Sequence, residues 1–280
     1  IVAVPSRAVP AVIVDCGRKR VKFIIVHSVG FAELGSDGNE LERGMLRLAS
    51  AGASRIVGPN CMGIYVPRSR INTIVYGAPI REPGAVAFVG QSGWVTENVV
   101  VLGNERGLRF SKIMSIGNQS DLTIEDMIEY LAGDKDTRVI AFYAEGIKRG
   151  SEFLKVVNNA SRRKPVIVWK SGRSSVGARA ASSHTGSLAG DSVVFDAVAA
   201  QTGMIQVNDL DDLLDHMVGF SCPVYPRGKR VALLCESGGG AVSGGDAAEV
   251  YGLEVPTLTP GAQKRLVETL TGRIPPFAQP

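Results

Sequence analysis

One pattern occurs twice in this chain and restricts its architecture more than any other. Ala85-Val-Ala-Phe-Val-Gly-Gln-Ser-Gly93 and Arg230-Val-Ala-Leu-Leu-Cys-Glu-Ser-Gly238 each read as an apolar strand, a Ser-Gly turn and the start of a helix. The spacing onward agrees as well. Ser92 stands as far from Gly107-Leu108 as Ser237 does from Gly252-Leu253, and a strand pattern follows each pair. Such agreement indicates a duplicated nucleotide-fold half. Around the two copies, short apolar runs alternate with helical patterns, the order that builds parallel sheets covered by helices. The strand runs at 21–26, 55–57, 85–89, 139–143, 166–169 and 230–235 lack strict alternation, as expected of strands buried on both faces. The expected fold class is α/β, with tandem Rossmann/flavodoxin-like doubly wound parallel sheets.

Helical spacing fills the intervals. Leu41, Met45 and Leu48 share one face before Gly52. Ile124, Met127, Ile128 and Leu131 follow Thr123, an N-cap with Asp126 three residues on. Leu210, Leu213, Leu214 and Met217 follow Asn208, read as the N-cap. Pro/Gly punctuation near 81–84 and 223–228 divides the chain into expected domains at 1–80, 81–224 and 225–280. A length of 280 residues suits two or three such units. The first residue is Ile1 rather than Met, and a proline-rich segment ends the chain, so both ends read as cut from something longer.

Charge and cysteine content remove several function classes. The net charge of +4 comes without a run of five Lys/Arg, which argues against a nucleic-acid or anionic-membrane partner while suiting phosphates or CoA. Cys16, Cys61, Cys222 and Cys235 form no CxxC pair, so neither a zinc site nor a disulfide framework is expected. No apolar run reaches the roughly 18–20 residues of a membrane span and no signal peptide is visible, so the expected location is cytoplasmic.

The chemistry concentrates at the turns. A helix start leaves its first N–H groups without intrahelical partners, and the helix dipole adds partial positive charge. Gln91-Ser92-Gly93 and Ser237-Gly238-Gly239-Gly240 are therefore candidate phosphate cradles, the matched pair favouring anion binding over mere tight turns. Trp94 occupies the last glycine position of a GxSxG nucleophile elbow. Ala178-Arg179 replaces the Lys-Ser/Thr of a P-loop after Gly172 and Gly177, and no GxGxxG fingerprint occurs. His184, in Ser182-Ser183-His184-Thr185-Gly186, sits among small hydroxyl and glycine residues where an imidazole is accessible as a nucleophile. Glu145, closing the 139–143 strand, is the candidate carboxylate to fix its tautomer. A lone histidine in a polar loop is otherwise an ordinary solvated side chain, the reading kept for His27 and His216. Lys170, Arg173 and Arg179, upstream of His184, have the charge to steer phosphate, but the preferred reading is a solvated loop. Gly58-Pro59-Asn60-Cys61-Met62-Gly63 must turn sharply, with Asn60 as donor and acceptor, and is equally well a structural turn with a buried cysteine.

Together these segments resemble the succinyl-CoA synthetase superfamily, and most closely the alpha part of ADP-forming acetyl-CoA (acyl-CoA) synthetases. The Gly58–Gly63 turn resembles the one that contacts CoA and the acyl group, which implies such roles for Pro59, Asn60 and Cys61. Gly90-Gln91-Ser92-Gly93 and 237–240 resemble the two phosphate-binding helix starts. Ala144-Glu145-Gly146 resembles the site of the glutamate that orients phosphohistidine, and Ser183-His184-Thr185-Gly186 the loop that bears it. The resemblance implies an NDP-forming acyl-CoA synthetase component, working through acyl-phosphate and phosphohistidine. It implies CoA, phosphate, ADP/ATP and Mg²⁺ carried with the nucleotide, a small carboxylic acid, an ATP-grasp (beta-type) subunit or fused domain, and an oligomer. Residues 1–75 resemble only the second half of the family's CoA-binding domain, and 225–280 the start of a second ligase domain. The alternative is a non-catalytic acyl-CoA-binding regulatory module of the same architecture.

Overall fold

A computed structural model describes residues 1–74, 81–174, 176–177 and 192–270. The chain divides into two compact units, Ile1–Pro223 and Val224–Pro280.

The first unit begins with helix α1 (Val9–Arg18), strand β1 (Phe23–Ile25), helix α2 (Ser36–Ala51) and strand β2 (Arg55–Val57). β1 and β2 pair in parallel, and Val2 bridges to Val26 beside them. The apolar face of α1, which no sequence pattern above announced, and the expected face of α2 close a small core of Val9, Ile13, Ile24, Val26, Phe31, Met45, Ala49 and Ile56, with Leu41 and Leu48 packed against it. Two short strands follow, β3 (Ile64–Val66) and β4 (Ile71–Asn72).

The main sheet then takes β5 (Val86–Gly90), β6 (Phe110–Ser115), β7 (Val139–Ala144), β8 (Val166–Lys170) and β9 (Ile205–Val207). Its spatial order is β4-β3-β6-β5-β7-β8-β9. From β6 to β9 every pairing is parallel, whereas β3 and β4 run antiparallel at one edge. Numbered from β5, the parallel part reads 2-1-3-4-5, the flavodoxin order. Two strands N-terminal to residue 81 thus extend the sheet of the segment that follows.

Helices α3 (Gly93–Glu105), α4 (Ile124–Gly133), α5 (Gly150–Ser161), α6 (Ser192–Thr202) and α7 (Leu210–Ser221) cover the two faces. The unbroken apolar strands account for this layering. Along β5, Val86 and Phe88 pack on one side with Val95, Val99, Leu213 and Met217, while Ala87 and Val89 pack on the other with Ile128, Leu131 and Phe153. An alternating polar strand would leave one of those faces unable to dock a helix.

The Thr123 start is a capping box. The Asp126 carboxylate accepts from Thr123 N at 2.7 Å and pairs with Arg149 at 2.7 Å. At α7 the cap is Asp209 rather than Asn208, its carboxylate accepting from Asp212 N at 2.8 Å. Asn208 N donates back to Asp212 at 3.0 Å, so adjacent Asn and Asp, both good caps, shift the start by one residue.

These ion pairs set an acid limit on stability. Burial alone would raise the Asp126 carboxyl, but the Thr123 N–H and the Arg149 guanidinium outweigh it and hold the group below its ordinary value. Asp134 is likewise held low against its burial by Lys112 and Thr137. A carboxyl more acidic when folded stabilises fully above its unfolded pKa of about 3.9 and loses that contribution as pH falls through the lower folded value. Urea midpoints should therefore decline on acidification below about pH 4. Asp126→Asn should make that decline shallower, and an unaltered slope in the variant would contradict the assignment.

The second unit contains α8 (Gly238–Val250) and α9 (Pro260–Leu270). The strand expected at 230–235 is absent: only Arg230 forms a bridge, to Glu254, and Leu234 is 96% exposed. A strand is held by its neighbours' hydrogen bonds, and here the segment near Glu254 supplies contact at one end alone.

Candidate functional site

Ligands of open α/β sheets bind beyond the carboxyl ends of the strands, where the strand order reverses. In this sheet that point lies between β5 and β7, and it brings Gln91-Ser92-Gly93 beside Glu145-Gly146. Ser92 N-caps α3, its Oγ accepting from Val95 N at 3.3 Å. The N–H groups of Gly93 and Trp94 have no intrahelical acceptor, and they form the anion-attracting end.

Gln91 is placed differently from its expected role. Its side chain is buried, with Oε1 accepting from Glu145 N and from Gly146 N (3.1 Å) and Nε2 donating to Gly146 O at 3.1 Å. The amide is thereby spent on the protein, and an anion at this helix end would meet main-chain N–H groups instead. Burial next to β7 explains the difference, since a polar side chain taken from water must find partners.

Glu145 is 8% exposed and tied at several atoms. Its N–H donates to Gln91 Oε1, its carbonyl accepts from the Lys170 ammonium at 2.7 Å, and its Oε1 accepts from the Tyr143 hydroxyl at 3.3 Å. Burial pushes the Tyr143 phenol up to about 12, the adjacent carboxylate adding to the shift. Lys170 is not in a solvated loop: it ends β8 at 5% exposure, and its ammonium also donates to Ser171 O. Burial lowers the Lys170 pKa, against the opposing pull of Glu145. Arg173 is exposed and pairs with Asp196 at 2.8 Å. His184 and Arg179 lie outside the described residues.

The 58–63 turn reaches the same end of the sheet. Gly58 and Asn60 both take positive φ, +98° and +56°. Pro59 O accepts from Asn118 N at 3.0 Å, and Gly58 O from Ser120 N at 3.2 Å. This close approach needs Gly117, whose φ is +50° and where a Cβ would lie 2.2 Å from Pro59 O. Met62 N donates to Ser115 Oγ at 3.0 Å, and the Met62 side chain abuts Gly93 at the start of α3. Cys61 points the other way. Its thiol is buried, donates to Val26 O at 3.3 Å, and is pushed up to about 12 by burial. The buried-cysteine reading holds for that side chain; Pro59 is buried as well, which leaves Asn60 as the partly exposed residue among the three.

A polar seam behind the turn went unread in the sequence. Asn118 Nδ2 donates to Glu33 (2.6 Å) and Glu42 (3.1 Å), which leaves Oδ1 to accept from Asn60 Nδ2 at 3.3 Å. Burial would raise the Glu33 carboxyl, but Asn118 and the N–H groups of Gly30 and Phe31 hold it low. Lys148 donates to the carbonyls of Asn118 (2.7 Å) and Gln119 (2.9 Å). These partners are separated by up to 85 residues, so no local pattern announces them.

In the second unit, Ser237 caps α8 as Ser92 caps α3, its Oγ accepting from Gly240 N at 3.2 Å. Gly238 and Gly239 occupy the first turn, so the repeated sequence produces a repeated helix start. Among the described residues no group of His, Cys, Asp and Glu could hold a metal ion, and no helix is long and apolar enough to cross a membrane.

Residues 83–220 match the succinyl-CoA ligase-like flavodoxin domain. Over 278 residues the chain is 36% identical to the alpha subunit of acetate–CoA ligase (ADP-forming) II from Pyrococcus furiosus, covering 99% of this chain and 59% of that one. Acetate–CoA ligase (ADP-forming) I from Archaeoglobus fulgidus is 37% identical, over 96% of this chain and 39% of its own length. A solved structure of acetyl-coenzyme A synthetase 1 from Ca. Korarchaeum cryptofilum, in complex with phosphate and ADP, superposes with a TM-score of 0.80 at 35% identity, covering 100% of this chain and 60% of that one.

Proposed function

From the premise that residues 83–220 match the succinyl-CoA ligase-like flavodoxin domain and that the chain is similar to the alpha part of ADP-forming acetyl-CoA synthetases, we propose that it carries the CoA-side and phosphohistidine steps of an NDP-forming acyl-CoA synthetase. The observation that carries the reading is the meeting of three features at one strand-order reversal: the 58–63 turn, the α3 N-terminus and Glu145. The chain spans about three-fifths of the relatives named as alpha subunit or synthetase 1, so turnover is assigned to a larger assembly.

Phosphate, drawn to the Gly93 and Trp94 N–H groups, attacks the thioester carbonyl. The C–S bond breaks, CoA leaves as the thiolate and acyl-phosphate remains. A ring nitrogen of His184 then attacks phosphorus. The bond from phosphorus to the acyl oxygen breaks, and the carboxylate departs. Phosphohistidine finally gives its phosphoryl group to a nucleoside diphosphate, which with its Mg²⁺ is held by an ATP-grasp partner subunit or domain. Each helix end would stabilise phosphoryl oxygens by up to ~2 kcal/mol in a partly buried geometry. Ser237 to Gly240 would serve as the second such end. Glu145 would hold the imidazole N–H opposite the attacking nitrogen and offset the charge that develops on the ring.

The test is intact-mass spectrometry at alkaline pH after adding acetyl phosphate, CoA and Mg²⁺, or ATP with the partner subunit. One acid-labile phosphoryl group per chain is the expected gain. CoA binding without any gain, with the partner supplied, would replace this reading by a non-catalytic acyl-CoA-binding module.

A further inference from the structure

We infer that Gln91, Tyr143 and Lys170 form a clamp that positions Glu145, and that none of the three binds phosphate itself. This rests on the proposed function and assigns the supports of its carboxylate. The three come from different strands: Gln91 just beyond β5, Tyr143 within β7 and Lys170 at the end of β8. They fix different atoms of one residue. Gln91 accepts from the Glu145 N–H, Lys170 donates to its carbonyl at 2.7 Å, and Tyr143 donates to Oε1 at 3.3 Å. Both peptide groups flanking the glutamate are thereby held, and so is one carboxylate oxygen.

The chemistry of each residue fits this role better than packing does. At position 91 one side chain must accept two N–H groups and donate to the Gly146 carbonyl, which an amide does. Glutamate lacks the donor and methionine lacks both functions. A lysine at 5% exposure loses hydration that an apolar residue of similar length would not forfeit. Its ammonium is committed to the carbonyls of Glu145 and Ser171, with the Phe195 ring 6.0 Å away. Tyr143 packs edge-on against Trp169, ring centroids 4.9 Å apart, which points its hydroxyl along the sheet surface to the carboxylate. A carboxylate that must meet an imidazole within hydrogen-bond reach gains from such support, because a displacement near 1 Å can lower a rate about 100-fold.

The clamp makes a prediction that phosphate ligands would not. In the complete enzyme, with its nucleotide-binding partner, Gln91→Met and Lys170→Met should slow single-turnover phosphoenzyme formation by about 10- to 100-fold while KM for phosphate stays within about twofold. Tyr143→Phe, which keeps the ring packing, should slow it several-fold, and Lys170→Arg should recover part of the loss. Each slow variant combined with Glu145→Gln should be no slower than Glu145→Gln alone, since the clamp acts only through that residue. A raised KM for phosphate at unchanged rate, or effects that multiply in the double variants, would overturn the clamp. Should the methionine variants fail to fold by circular dichroism, the Tyr143→Phe cycle decides alone. A wild-type enzyme without acid-labile phosphate would sink the proposed function itself, whereas a phosphorylated wild type with multiplicative cycles sinks only the clamp.

Discussion

Alanine at position 184 is expected to eliminate the acid-labile phosphoryl group completely while CoA binding and the thermal unfolding midpoint stay at wild-type values. The chain has three histidines, and the other two are poorly placed to substitute. His216 Nδ1 lies 2.8 Å from Asp212 O and 3.0 Å from its carboxylate on the polar side of α7, tied within its own helix. His27 is sunk beside the 58–63 turn, where a Cβ on Gly63 would come 2.8 Å from Nε2, and burial lowers its pKa. A phosphoramidate needs a ring nitrogen as nucleophile, and alanine offers none. Peptide mapping at alkaline pH reads the outcome. Label that persists at wild-type level in His184→Ala would remove this residue from the mechanism, and His216→Ala serves as the variant that should label normally.

Glu145→Gln should lower the rate of phosphoenzyme formation by about 100-fold, equivalent to about 2.7 kcal/mol of transition-state stabilisation. The amide keeps the size of the side chain and still accepts from Tyr143, but it loses the negative charge that offsets the positive charge growing on an attacked imidazole. KM for CoA should be unchanged, because the 58–63 turn is held by Asn118, Ser120 and Ser115 rather than by Glu145. Stopped-time quench of labelled acetyl phosphate measures the rate directly. Equal rates in the two proteins would leave Glu145 a structural residue. A raised KM for CoA would instead mean that the two ends of the site are coupled through the 116–119 turn.

Much of the layered fold could be read from local pattern. Val86 to Gly90, Val139 to Ala144 and Val166 to Lys170 are apolar without alternation, and strands covered on both faces follow from that. The Thr123-Asp126 box and the Ser92 cap depend on residues a turn apart, which is why sequence order suffices to find them. What escaped was decided by distant partners. Gln91 resembles a phosphate contact in sequence, yet β7 offers it two N–H groups and a carbonyl, and those capture the amide. Lys170 resembles the start of a solvated loop until the Glu145 carbonyl is placed over it. The apolar run at 230–235 has the composition of a strand but little to pair with. Two-residue β4 is too short to leave any periodic trace.

The antiparallel pair at the sheet edge bears on how this protein could be cut. A fragment beginning at residue 81 would take β5 to β9 intact but strip β3 from β6. The main-chain N–H and C=O groups of Ile113 and Met114 that now face Ile64 and Tyr65 would lose those partners, leaving the whole six-residue β6 as an open edge. Bare edges of that kind recruit other chains, and natural sheets blunt them with very short outer strands. β4 is such a strand. In sheet terms, β3 and β4 are the edge cover of a sheet whose other strands all follow residue 81, so a cut at the proline–glycine punctuation of 83–84 would separate that sheet from its own edge.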